Sequence, residues 1–329
     1  MVTTLKVPKP VADAPSPPPQ RAMARARWWE RRDLMPYLLI APAVACELLV
    51  HFVPMVAGVV MSFYSLTLFT LHHWSSAPFA GLANFRVAVD FHGPIGSALL
   101  HSFELTLPYT VLVVGISWVI GMLAATGLSV EFKGRSWLRS VLLIPYALPV
   151  YVAIIVWSFM LQRDTGAVNA ILVRDTHLLQ SPPFWLLGST AFWSMVAAAV
   201  WRWFPFAFLI LMAALQAVPS ELYEAAAVDG ASAWRQFRSI TLPSLRSANL
   251  VLVLVLFLWN FNDFNTPYVL YGSAPPSSAD LLSLHIYIVS FQSWNFGLGS
   301  AMSVLLMLFL FIVSMAYLRV LRRGGEFNV

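Results

Sequence analysis

The chain has 329 residues, of which 59% are hydrophobic and only 11% charged. Soluble domains run at about 45–50% apolar and about 25% charged, so this composition excludes an ordinary water-soluble globule and indicates an integral membrane protein. The formal charge of +5 does not read as a nucleic-acid footprint. The Lys and Arg residues cluster beside apolar runs, where membrane topology accounts for them.

Residues 1–33 come first, a tail rich in Pro and Arg in which Pro15, Pro17, Pro18 and Pro19 fall close together. Proline does not continue a helix and this composition has no core to bury, so disorder is expected. A polar stretch of this length ahead of the first apolar run, with no cleavage site after it, does not fit a secretory signal. Apolar runs long enough to cross hydrocarbon as helices then recur. They predict six spans at about 36–66, 102–128, 138–161, 189–217, 250–271 and 299–320. The runs are continuous, without the period-two alternation of a membrane barrel, so the expected fold class is all-α and polytopic.

Loop charge orients the spans. Sixteen Lys or Arg residues fall in the tail, the second-to-third loop, the fourth-to-fifth loop and the C-terminus, against Arg86, Arg163 and Arg174 in the opposite loops. The positive-inside rule then puts both termini in the cytoplasm. The outward loops near 67–100, 162–188 and 272–298 are expected to hold short interfacial or re-entrant helices. The single cysteine, Cys46, lies in an apolar run and is expected to be packed and inert. The histidines show no metal-ligand spacing, and no Walker A phosphate loop occurs, so ATP hydrolysis by that route is not expected of this chain.

The largest cytoplasmic loop, 218–246, carries the strongest pattern. Pro219 should end the fourth span's helix, Ser220 can cap a new one, and Glu221 and Glu224 fall in its first turns. Ala225, Ala226 and the alanine after them keep that helix slim, and Gly230 supplies a bend. Trp234, Phe237 and Ile240 repeat at helical spacing, and Pro243 should stop the segment. A slim helix closed by a glycine bend and projecting into the cytoplasm suits docking into a cleft on another protein.

Glu224-Ala225-Ala226, Asp229-Gly230-Ala231, and then Ile240, Leu242 and Pro243 resemble the EAA loop of binding-protein-dependent ABC importers. The run Pro36–Pro42 leading to Met61-Ser62-Phe63, the sequence Gly81-Leu82-Ala83-Asn84-Phe85 and the Gly166-to-Asn169 pattern are similar to the maltose-type "F" permeases of that family. The stretch from Phe264 to Leu305 is similar too, except that Tyr271-Gly272-Ser273-Ala274-Pro275 replaces the usual glycines before proline. The resemblance implies a type I ABC importer permease fold, with residues 34–329 as the permease domain in the plasma membrane. It implies that 218–246 is the coupling loop, with Glu224, Ala225, Ala226, Asp229, Gly230 and Ala231 at its signature positions. The implied partners are a second, "G"-type permease, a homodimeric ATPase that carries ATP and Mg, an extracytoplasmic solute-binding protein and membrane lipid. No cofactor is expected in this chain itself, and no enzymatic activity.

Polar residues deep in a span usually face a cavity or a partner helix. On the fifth span Leu256, Trp259, Asn260 and Asp263 share one helical face, and on the fourth Ala199, Arg202, Trp203 and Phe206 repeat that spacing. Arg202 and Asp263 are at comparable depth and should form a pair or share a polar cavity. Trp faces suit the C–H side of a pyranose while Asn and Asp suit its hydroxyls. Trp203, Phe206, Trp259, Asn260, Asp263 and Arg202 are therefore the candidate substrate pathway, and interhelical glue is the alternative role for these polar groups. The sugar expected is a disaccharide such as trehalose or maltose, with the tryptophans favouring a neutral one and Arg202 leaving a glycerol phosphate-type substrate open. Tyr109, Tyr146 and Tyr151 are expected in the interfacial belt. A secondary transporter relaying an ion through Asp263 and Arg202 is the rival from another class, although no inverted repeat is evident.

Overall fold

The structure is a computed structural model that describes residues 35–323. The expected disorder of residues 1–33 lies outside them. The chain divides into two compact units at the Ala57–Gly58 bond. Residues 35–57 of the first unit belong to one apolar helix, α1 (Met35–Met61), which carries a π-helical turn at Leu48–Phe52. Cys46 is exposed on it, contrary to the expected packing, because a thiol on a membrane helix can face lipid as readily as protein.

In the second unit a short helix α2 (Ala83–Val89) precedes α3 (Pro94–Gly127), which starts with Pro94 in its first turn. Proline suits that position because its missing N–H would have had no intrahelical acceptor. After α3 come α4 (Arg135–Ala147), α5 (Val150–Met160), α6 (Thr190–Gln216) and the short loop helix α7 (Ser220–Val228). The helices α8 (Arg246–Phe261) and α9 (Asn265–Tyr271), then α10 (Leu282–Gln292) and α11 (Phe296–Arg323), complete the described residues. The architecture is all-helical: no strand forms among the described residues, which contain two isolated bridges only.

Five helices are long and apolar enough to cross a membrane, or six if one bent pair counts as a span. That pair corrects the expected third span. Instead of one helix over 138–161, α4 and α5 meet at 93°. Leu148 is extended there (φ −72°, ψ 142°) ahead of Pro149. Proline's ring crowds the preceding residue out of the helical region, so the break falls where that rule puts it. The short helices expected in the outward loops are present as a 3-10 turn at Leu71–Ser76, α2, a helical segment beginning at Ala167, and α10.

The core is built on α3 against α6. A Cβ on Gly121 would lie 2.7 Å from Cβ of Ala207 and 2.8 Å from the backbone nitrogen of Phe208. Two small residues thus let the backbones approach, the packing that membrane helices use where hydrophobic contrast with lipid is absent. Above and below this contact, Tyr109 and Val113 of α3 pack with Ala191, Met195, Ala198 and Ala199 of α6. Val114 and Met122 pack with Phe208, Leu211 and Met212.

Two asparagines close connecting segments of the chain. Asn84 Nδ2 donates to the carbonyls of Ser62 and Tyr64, each at 2.9 Å. Asn169 Nδ2 donates to Arg163 O (2.9 Å) and Pro183 O (3.2 Å), while its Oδ1 accepts from Trp185 Nε1 at 2.7 Å. A Cβ on Gly166 would sit 2.2 Å from Gln162 O. The Gly and Asn of the Gly-x-x-Asn pattern are therefore both needed to close that loop.

Candidate functional site: a cavity beside a broken span

The site begins where α8 stops. Asn262 leaves the helical region (φ −102°, ψ 23°) and α9 restarts at Asn265. Asp263 holds the restart, because its Oδ1 accepts from Thr266 N at 3.1 Å, as a capping carboxylate does. Its Oδ2 accepts from Tyr109 Oη at 2.7 Å. Tyr109 is fully buried, so it is no interfacial belt residue. Its hydroxyl is the buried partner of a carboxylate in the adjoining helix.

Beside this break lies an open cavity of about 590 Å³, lined by Tyr146, Arg202, Trp203, Leu258, Trp259, Asn262, Asp263 and Asn265. That volume falls within the roughly 300–1,000 Å³ of small-molecule sites. An aromatic wall forms one side. The ring centroids of Trp203 and Trp259 are 5.2 Å apart, and Phe206 lies 5.2 Å from Trp259 and 5.5 Å from Tyr146. The guanidinium carbon of Arg202 sits 4.8 Å from the Trp203 ring centroid, a cation–π contact.

Of the six pathway residues expected from sequence, the structure puts Arg202, Trp203, Trp259 and Asp263 on the cavity wall. Phe206 backs the wall through its ring contacts. Asn260 is separate. It is fully buried, its Nδ2 donates to Leu256 O at 2.8 Å, and its Oδ1 has no partner among the described residues. The expected stripe therefore divides: Trp259 and Asp263 face the cavity while Leu256 and Asn260 face the packed interior. Of the two arrangements expected for Arg202 and Asp263, the shared cavity is the one observed. Among the described residues Arg202 makes no ion pair or hydrogen bond. Tyr146, expected in the interfacial belt, also lines it, as do Asn262 and Asn265.

The loop 218–246 has a second geometry. Helix α7 follows Pro219, whose extended ψ of 133° sets its start. Ser220 is the first helical residue and makes no capping bond, which corrects its expected role. The C-terminus is a Schellman closure. Ala231 N donates to Ala226 O at 2.9 Å and Gly230 N to Ala227 O at 3.0 Å, with Gly230 at φ +75°. Ser232 caps the next short helix, Ala233–Gln236, accepting from Arg235 N at 3.4 Å. Tyr223 Oη and Thr241 Oγ1, 3.0 Å apart, join α7 to the return segment. That segment runs past Pro243, which sits in the first turn of Leu242–Ser244, and breaks at Leu245. Proline at a helix start is tolerated, so Pro243 is not the stop. Glu224, Ala225, Asp229 and Gly230 are exposed, Ala226 and Ala231 half-buried, and Val228 is 88% exposed.

The long apolar helices, with a polar cavity beside a broken one, define a polytopic helical membrane protein. Residues 117–324 match the family described as binding-protein-dependent transport system inner membrane component, and the chain belongs to that family. It is similar to the inner membrane ABC transporter permease protein YcjO of Escherichia coli, 32% identical over 291 residues that cover 87% of this chain and 94% of YcjO. It is also similar to the trehalose/maltose transport system permease protein MalF of Thermococcus litoralis, 31% identical over 88% of this chain and 94% of MalF. The sn-glycerol-3-phosphate permease protein UgpA of Agrobacterium fabrum is 31% identical over 83% of this chain and 90% of UgpA. Among solved structures, a chain of a bacterial alginate ABC transporter in complex with an alginate pentasaccharide-bound periplasmic protein superposes with a TM-score of 0.76. It has 20% identity and covers 92% of this chain and 100% of that one, which supports the fold alone. The protein is thus a multi-pass membrane subunit of an ABC importer.

Proposed function

We propose that this permease moves a sugar of about disaccharide size, the class to which trehalose and maltose belong, by alternating access through the cavity beside Asp263. The observation that carries the reading is the pair Trp203 and Trp259, 5.2 Å apart on the wall of a cavity that also holds Arg202 and Asp263. Indole faces take the C–H side of a sugar ring, and the flanking polar groups take its hydroxyls. Relatives named for trehalose/maltose transport support it. A glycerol phosphate-type substrate is the second reading, favoured by the cation of Arg202 and by the UgpA relatives.

Energy comes from outside the chain. A homodimeric ATPase, holding ATP and Mg, closes on nucleotide and carries α7 with it as a rigid body. Glu224, Ala225, Ala226, Asp229, Gly230 and Ala231 form the coupling surface, with exposed Val228 and Leu222 as its apolar contacts. One such chain walls half a pathway, so a second, "G"-type permease completes it, and an extracytoplasmic solute-binding protein delivers the cargo. Both termini are cytoplasmic in this scheme. The test is solute-stimulated ATPase of the reconstituted complex across neutral sugars, acidic sugars and glycerol phosphate. Stimulation by glycerol phosphate and by no sugar would select the second reading.

A further inference from the structure

We infer that the sugar taken by this cavity carries an anionic group, a carboxylate or a phosphate, and that Arg202 binds it. The inference rests on the sugar reading above and narrows it to acidic sugars of that size, which excludes trehalose and maltose themselves. Arg202 sits near the middle of α6, where a cation is costly in hydrocarbon and ordinarily finds a counter-charge. Here it has none in contact. Its Nε is buried without a partner, and among the described residues the guanidinium makes no hydrogen bond or ion pair.

The one carboxylate on the same wall is otherwise engaged. Asp263 receives Tyr109 Oη at one oxygen and Thr266 N–H at the other. No contact joins it to Arg202, and its charge reaches the guanidinium only through space. The remaining polar groups on the wall, those of Tyr146, Asn262 and Asn265, are neutral.

The guanidinium carbon lies 4.8 Å from the Trp203 ring centroid. A cation–π contact makes no use of the N–H groups, and these form the fork that matches a carboxylate or phosphate with two parallel hydrogen bonds. A neutral sugar would meet those donors with single hydroxyls and bring no charge into contact with the guanidinium. An acid on the sugar satisfies the donors and the charge together. Trp259, half-exposed and 5.2 Å from Trp203, offers the ring platform alongside.

The experiment uses the whole importer in liposomes with its own binding protein. It reads ATPase stimulation by matched disaccharides: a neutral one, its uronate-bearing counterpart and a phosphorylated one. The expected result is stimulation at a tenfold or lower concentration by an acidic sugar than by the neutral one. Preference for the uronate or the phosphate identifies which acid it is. Arg202→Gln should remove the preference and Arg202→Lys should keep part of it, since Lys retains charge without the fork. Equal response to neutral and acidic sugars, unchanged in Arg202→Gln, would overturn the inference while leaving the sugar reading intact. Response to no sugar at all would sink both. The wild-type panel decides the question even where a variant fails to assemble.

Discussion

The hydroxyl of Tyr109 donates to Oδ2 of Asp263 at 2.7 Å, tying the middle of α3 to the break between α8 and α9. The contact joins the core of the bundle to the wall of the cavity. Tyr109→Phe takes a donor from a carboxylate oxygen without changing the packing volume, which should cost about 1–3 kcal/mol. The melting temperature of the detergent-purified importer should fall. Asp263→Ala should fall further, since it also removes the cap on Thr266 N–H. A Tyr109→Phe protein melting with the wild type would show that this bond holds nothing.

The contact of Gly121 with Ala207 makes a second prediction. A side chain at 121 meets both the Ala207 methyl and the Phe208 backbone, so Gly121→Val should destabilise by about 1–3 kcal/mol through overpacking. Gly121→Ala should be milder. Adding Ala207→Gly should restore it only in part, because the backbone obstacle at Phe208 remains. Thermal unfolding of the three proteins checks the order.

At Gly230 the constraint is conformational. Nothing lies within 4 Å of a Cβ placed there, yet φ is +75°. An alanine in that region is strained on the order of 1–2 kcal/mol, and the closure of α7 should loosen. Gly230→Ala should lower solute-stimulated ATPase at least twofold, while Gly230→Asn, which tolerates a left-handed backbone, should retain more of it. Equal stimulation in all three proteins would remove the coupling role of this turn.

The aromatic wall is tested by substitution one ring at a time. Trp259→Ala should raise the solute concentration for half-maximal ATPase tenfold or more, and Trp259→Phe less. Phe206→Ala should have a smaller effect, since Phe206 supports the wall from behind. Comparable effects of Phe206→Ala and Trp259→Ala would mean the rings act by packing alone.

Spans were legible because each needs only a long apolar run. In the loop 218–246 the start at Pro219 and the bend at Gly230 were legible because those residues encode them, while the roles expected of Ser220 and Pro243 were not met. The break at Leu148–Pro149 was passed over although proline's effect on its predecessor is local and readable, because hydropathy runs across it unchanged. Asn260 and Asp263 looked alike in sequence. Which faces the cavity depends on the helix ending at Asn262, a fact about α9 and Tyr109 that helical spacing does not carry. Tyr109 and Tyr146 were assigned to the interface by residue type, whereas their depth is set by packing against α6. Asn84 and Asn169 were visible only as family patterns, because the backbone carbonyls they bind lie 22 and 14 residues away, beyond the reach of local spacing rules.

The most direct test of the central claim is labelled-sugar uptake into proteoliposomes holding this permease, its "G"-type partner, the ATPase and the binding protein. The account predicts uptake that requires ATP inside the compartment where the ATPase faces, and none by this chain alone under an ion or proton gradient. Gradient-driven uptake by the isolated chain, indifferent to ATP, would contradict it.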